Sequence, residues 1–295
     1  MLARESVQPS IDLSPEQIAT FRAQGFLVLD RLSPDTEVAR LGEIFDRLFA
    51  VRAGWERGAQ FDLAGTDEEG RPPALPQILN PPQFEPELER TEFRANALAV
   101  AKQLLGPEAH GWFEHAILKP AGYGAPTPWH QDEAHRYDPG VDYEQISIWM
   151  PLQEARLDNG CMQYIPGSHR GAILEHRSPN NDPRVSALEC AGGFDPECAV
   201  PCPMPAGGAV VHHCRTLHSA GANRSELPRR AYILAFRGKA TPAPQREPFP
   251  WLAEKHTAAQ ERKIAWQHAH PEPSPAPASL ARRAIAKLRR VMFGK

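Results

Sequence analysis

Between residues 111 and 238 the chain sets short runs of β-forming residues between turn signals, at residues 112–118, 146–152, 162–165, 209–213 and 231–236. No helical pattern of roughly 10–15 residues alternates with them, which excludes a doubly wound parallel sheet. Many short strands punctuated by Gly, Pro, Asn and Asp predict an all-β sandwich or barrel. Upstream the pattern is helical. Ser14-Pro15-Glu16-Gln17 combines a cap, a proline at the first helical position and a glutamine three residues on, and Gly25 ends the segment. A strand-length apolar run follows at 26–29. Ser33-Pro34 opens a second helix carrying Val38, Leu41, Ile44, Phe45 and Leu48 at helical spacing. A third spans 91–105, with Phe93, Leu98, Ala101 and Leu105 apolar and Gly106 as its stop. Helices first and strands after predict a mainly β barrel or jelly roll with an N-terminal helical layer.

Composition refines this plan. The chain has 295 residues, 41% of them apolar, enough for one sizeable core, and a net charge of −3 that argues against nucleic acid as a partner. No apolar run reaches the roughly 18 residues of a membrane span, and the N-terminus lacks the apolar core of a secretory signal. Five cysteines, an odd and sparse count without a Cys-x2-Cys pair, read as free thiols in a reducing cytoplasm. The chain has 31 prolines, and 14 of them fall in two proline-rich stretches. Residues 52–88 read as a long loop and 239–278 as an extended linker. The expected organisation is a loose arm over 1–13 and one domain over 14–238, with a helical buttress at 14–106 and a β core at 111–238. After the proline-rich segment comes a basic amphipathic helix at 279–295. That helix carries six Lys/Arg and no acid. It suits a solvated surface, an anionic membrane surface or an acidic carrier protein.

The sharpest local feature is Trp129-His130-Gln131-Asp132. On extended backbone, residues i and i+2 share a face, so His130 and Asp132 can address one point. An imidazole nitrogen and a carboxylate oxygen suit a divalent metal, and His218, after the run at 209–213, supplies a third donor. Two histidines and one carboxylate with open positions are the pattern of non-haem Fe(II) oxygenases. Arg229 and Arg230 open the run at 231–236. An arginine entering a barrel interior is costly unless it meets an anion, and a guanidinium fork fits a carboxylate.

In these residues the chain resembles the phytanoyl-CoA dioxygenase family of Fe(II)/2-oxoglutarate oxygenases. The matching pieces are Trp129-His130-Gln131-Asp132, Asn159-Gly160-Cys161-Met162, Ile165-Pro166-Gly167-Ser168-His169 and the block from His218 through Asn223 to Arg229. The resemblance spans 111–238, and 15–105 is similar to the family's N-terminal portion. It implies a double-stranded β-helix of the cupin-like kind, with iron held by His130, Asp132 and His218. It also implies 2-oxoglutarate as cosubstrate on Arg229, with Arg230 the alternate if the register differs by one. Ser147, Ser219 and Thr216 are further cosubstrate candidates. With Asp132 present, oxygen insertion from O2 rather than halogenation is expected, on a small or medium-sized organic metabolite. One departure is Gly207-Gly208-Ala209, where many members carry Gly-Asp; the expected effect is on a turn.

Other residues carry blander expectations. His115 reads as a satisfied core histidine, and His212 and His213 as packing or supporting groups of which only one points inward. His135 reads as a loop residue, His169 as part of a turn, and Trp129 and Trp149 as barrel packing. Tyr123, Tyr137 and Tyr143 flank the metal loop. The loops at 52–88 and 177–201 are expected to set the substrate. Two rival readings are a non-catalytic cupin-like metal-binding sensor, which would form no succinate from 2-oxoglutarate, and a non-oxidative jelly-roll metalloenzyme, which would not need Arg229.

Overall fold

The computed structural model describes residues 8–271, apart from Glu69 and Tyr137. The basic segment at 279–295, with its lipid or carrier-protein reading, lies outside the described residues, as does Tyr137.

Three helices lead the fold: α1 (Pro15–Gln24), α2 (Asp35–Ala50) and α3 (Glu92–Leu105). The Ser14–Gln17 capping box satisfies the first amides of α1, and Gly25, at φ +83°, closes it in the left-handed conformation. Strand β1 (Phe26–Leu29) follows α1. The strands β2 (Gln60–Asp62), β3 (Pro76–Leu79), β4 (His110–Lys119), β5 (Thr127–His130), β6 (Val141–Pro151) and β7 (Met162–Tyr164) come next. After them run β8 (His176–Arg177), β9 (Glu189–Cys190), β10 (Val200–Cys202), β11 (Ala209–His213), β12 (His218–Ala220) and β13 (Arg229–Pro242).

A seven-stranded antiparallel sheet, in the order β1-β11-β6-β13-β4-β3-β2, faces a four-stranded sheet in the order β10-β7-β12-β5. This is the predicted jelly roll. Alternation along β13 shows how both faces of the large sheet are used. Tyr232, Leu234 and Phe236 point out and pack with Leu41, Phe45, Phe93 and Val100 of α2 and α3. Ala231 and Ile233 point in and pack with Ile117, Trp149, Met162 and Tyr164 between the sheets. The helical layer thus covers one face of the large sheet and leaves the inter-sheet space for chemistry.

Two expectations are corrected. Residues 52–88 are not a bare loop, since β2 and β3 lie there and β3 extends the sheet through Ile78 opposite Ala116. These strands are too short for a period to show. Part of their order comes from Asp62, whose carboxylate accepts the amides of Ala64, Ala74 and Leu75 at 2.9–3.2 Å. In the segment read as a linker over 239–278, the described residues to 271 are likewise more than a linker. Strand β13 continues past 238, pairing Thr241 with Asp142, and two helices follow, α4 (Pro250–Ala253) and α5 (Ala258–Ala269). Composition hid α5, although its Thr257–Gln260 capping box is legible in the sequence. The β core also recruits β1, β2 and β3 from the segment read as buttress.

Candidate metal and cosubstrate centre

His130 ends β5 and pairs across the small sheet with His218 of β12, which brings their ring centroids to 4.1 Å. Gln131 is extended (φ −118°, ψ 129°), so Asp132 returns to the side of His130 as it opens a short 3-10 turn. Their donor atoms lie within 4.8 Å of one another, the sole such cluster among the described residues. The Nε2 atoms of His130 and His218 stand 3.7 and 3.5 Å from Asp132 Oδ1.

The neighbours of these groups fix their roles. In both histidines Nδ1–H donates to the carbonyl two residues back, Pro128 O and Thr216 O, each at 2.8 Å. That tautomer leaves the Nε2 lone pairs facing the centre. Burial lowers the pKa of His130 and pushes that of His218 well below the ordinary value, so both are neutral donors at neutral pH. Burial alone would raise the Asp132 carboxyl, but His218, His212 and His130 outweigh it and hold the group well below the carboxylate range. Asp132 Oδ2 accepts from Ser147 Oγ at 2.7 Å and from His212 Nε2 at 3.2 Å. His212 Nδ1 in turn accepts from Tyr164 OH at 3.1 Å. One carboxylate oxygen is therefore engaged and the other is left to a metal. The donor set fits a borderline divalent ion with open positions.

Arg229, the first residue of β13, points between the sheets opposite Lys119. It is 1% exposed, and its Nε and Nη1 have no hydrogen-bond partner among the described residues. Its guanidinium lies 5.4 Å from the centroid of the Trp149 ring. Burial pulls its pKa down to about 9. An unpaired buried guanidinium is expensive, and a carboxylate is the natural complement. A cavity of about 420 Å³ is lined by Arg229, Trp149, the three metal donors and Ser147. Phe61, Leu63, Leu79, Trp112 and Phe113 line it with apolar surface.

The remaining candidates fall elsewhere. Arg230 is corrected: strand alternation turns it outward, where its guanidinium binds Asp46 on α2. Thr216 is fully buried and donates to Gly25 O at 2.8 Å, Ser219 accepts from Gln163 Nε2 at 2.7 Å, and neither residue lines the cavity. Ser147 lines the cavity, but its proton is committed to Asp132. His212 is the inward member of its pair, and His213 faces Glu144. His115 is a wall residue of the cavity, with Nδ1 2.9 Å from Gln77 Oε1 and a pKa that burial lowers to about 4. Trp149 also lines the cavity rather than only packing. Tyr123 is exposed, and Tyr143 lies under the Arg237 guanidinium. The five cysteines are free. Gln131 carries no local sequence signal beyond lying between two donors. It is buried, donates to Arg215 O at 2.8 Å, and its backbone N–H meets His176 Nε2 at 3.1 Å.

Fold and site together define a jelly-roll protein with a two-histidine, one-carboxylate centre beside a buried arginine, the plan of 2-oxoglutarate-using iron oxygenases. The phytanoyl-CoA dioxygenase family model matches residues 21–231, and the chain belongs to that family. The crystal structure of EvdO2 from Micromonospora carbonacea var. aurantiaca, complexed with 2-oxoglutarate, is 39% identical, with a TM-score of 0.69 over 84% of this chain and 99% of that one. The ectoine dioxygenase of Bordetella bronchiseptica is 27% identical over 76% of this chain and 75% of its own. A probable alpha-ketoglutarate-dependent hypophosphite dioxygenase of Stutzerimonas stutzeri is 32% identical over 38% of this chain, a match spanning only 40% of that protein's length. No helix among the described residues is long and apolar enough to cross a membrane.

Proposed function

We propose that the protein is an Fe(II)- and 2-oxoglutarate-dependent dioxygenase that hydroxylates an unactivated C–H bond of a small or medium-sized organic metabolite in the cytoplasm. The observation that carries this reading is Arg229, a buried guanidinium whose Nε and Nη1 have no hydrogen-bond partner among the described residues, in the cavity that also holds the three metal donors. A non-oxidative metalloenzyme has no need of that costly charge. Iron with 2-oxoglutarate and O2 would supply the oxidation when bound, one oxygen atom of O2 going into succinate as carbon dioxide leaves and the other into the substrate's C–H bond.

The chain's own residues do the rest. His130, Asp132 and His218 hold the metal from one side. Ser147 and His212 fix the Asp132 carboxylate by hydrogen bonds to Oδ2. Arg229, beside the Trp149 ring, would hold a carboxylate of 2-oxoglutarate. The apolar walls around Phe113 and Trp112 receive the substrate and limit water. Phe61 and Leu63 from residues 52–88 and Ser186 from residues 177–201 reach the same cavity, which supports those segments as specificity loops.

Anaerobic titration of the Fe(II)-loaded protein with 2-oxoglutarate tests the reading. The expected result is a weak visible charge-transfer band, absent in His130→Ala and weakened in Arg229→Ala. A folded, iron-loaded protein without the band would refute the oxygenase reading and favour a metal-binding sensor.

A further inference from the structure

The family match ends at residue 231, yet the chain continues in order to 271. The added segment carries α4 and α5, and its polar groups are spent on three stretches that line the cavity. Trp251 Nε1–H donates to Ala134 O at 2.9 Å, two residues past Asp132. The same indole stacks on Phe249 at 4.7 Å and lies 5.5 Å from the ring of His176, which accepts the Gln131 amide. Lys255 Nζ donates to Val185 O and Ala187 O at 2.5 Å each, with Ser186 O at 3.4 Å, and the His256 amide reaches Pro183 O at 3.2 Å. Arg262 donates to Trp55 O at 2.9 Å and Gln60 O at 3.3 Å, pairs with Asp67, and lies 3.6 Å over the Trp55 ring.

The stretches held in this way are 55–67, 131–136 and 182–187. Their side chains Phe61, Leu63, His135, Arg136 and Ser186 form part of the cavity wall. They are also joined directly, since the Ala187 amide donates to Leu63 O at 2.9 Å. Each stretch lacks long regular structure, so its carbonyls depend on outside donors. A lysine ammonium with three donors and no acceptor suits three neighbouring carbonyls on one turn.

We propose that Trp251, Lys255 and Arg262 are positioning residues: the segment 249–262 straps the three wall loops into the shape that receives the substrate, without touching the metal or 2-oxoglutarate. This rests on the oxygenase reading given above. It follows that strap variants loosen the substrate wall while the cosubstrate end stays intact. Nothing in residues 249–262 lines that cavity.

The experiment compares the full chain with Lys255→Met, which keeps the stem and loses the donors, with Trp251→Phe, which keeps a ring and loses the N–H, and with Lys255→Arg as rescue. Amide hydrogen exchange is read by peptide, alongside the melting temperature and the anaerobic Fe(II)/2-oxoglutarate band. Exchange at 182–187 is expected to rise at least tenfold in Lys255→Met, and at 131–136 in Trp251→Phe. The arginine variant restores most of the protection at 182–187. The 2-oxoglutarate Kd stays within threefold of wild type, and the melting temperature within about 3 °C. Unchanged exchange in both variants, or a rise spread evenly over the barrel, would overturn the proposal. Loss of 2-oxoglutarate binding in the variants would also overturn it. A wild type with no band but with local loosening in the variants would sink the oxygenase reading and leave the strap standing.

Discussion

Arg229 allows a prediction that separates function from stability. The drop in its pKa from the usual 12.5 to about 9 has burial as its main cause. At 1.36 kcal/mol per tenfold change, this corresponds to about 5 kcal/mol of folding free energy lost at neutral pH. Arg229→Met removes the charge and keeps most of the length, and it forfeits a guanidinium–indole contact worth about 1–2 kcal/mol. The expected net gain in the metal-free protein is about 3 kcal/mol. For a chain of this size that is a rise in melting temperature of roughly 6–10 °C. The sign with pH is fixed as well. A base whose folded pKa lies below its unfolded value weakens the fold wherever both states are charged. The penalty fades as pH rises past about 9, so the gap between variant and wild type narrows by pH 10. Added 2-oxoglutarate should stabilise Fe(II)-loaded wild type by about 2.7 kcal/mol at a hundred times its Kd, and leave Arg229→Met unmoved. Differential scanning calorimetry in low-chloride buffer reads all three effects. A variant that melts at or below the wild type, with a normal 2-oxoglutarate response, would show that the guanidinium is neither strained nor the anchor.

The other predictions are more local. Ser147→Ala removes one of the two donors that orient Asp132, and metal affinity measured by anaerobic equilibrium dialysis should fall about 10–100-fold with the fold intact. Arg230→Ala breaks an ion pair with Asp46, whose carboxylate is 54% exposed. It should cost no more than about 1 kcal/mol in a denaturant titration and leave 2-oxoglutarate affinity unchanged. Gly160→Ala places a Cβ 2.4 Å from Gly221 O at a backbone φ of +85°, against the backbone rather than a flexible side chain. A loss of about 2–5 kcal/mol by urea denaturation is expected.

How much of this molecule was legible in its sequence depends on the range of the interaction concerned. Capping and periodicity act within a few residues, so Ser14, Gln17 and Gly25 announce α1, and the spacing from Val38 to Leu48 announces α2. The triad was legible because extended backbone makes His130 and Asp132 neighbours, and because the family's motifs mark His218 and Arg229. Short elements without a period were not legible, which is why β2, β3 and α5 lay concealed in proline-rich stretches.

What the sequence determined by itself is the inventory: a β-rich chain with a helical front, two histidines and a carboxylate able to meet, and an arginine entering the barrel. Tertiary structure decided which of two adjacent arginines turns inward, because only the alternation of β13 against β4 and β6 assigns Arg229 to the cavity and Arg230 to Asp46. It likewise gave Ser147 and His212 to Asp132, and Thr216 to Gly25. These partners lie between 15 and 191 positions apart in the chain. Hydrogen-bond partners so distant are chosen by sheet register and packing, which no local pattern records.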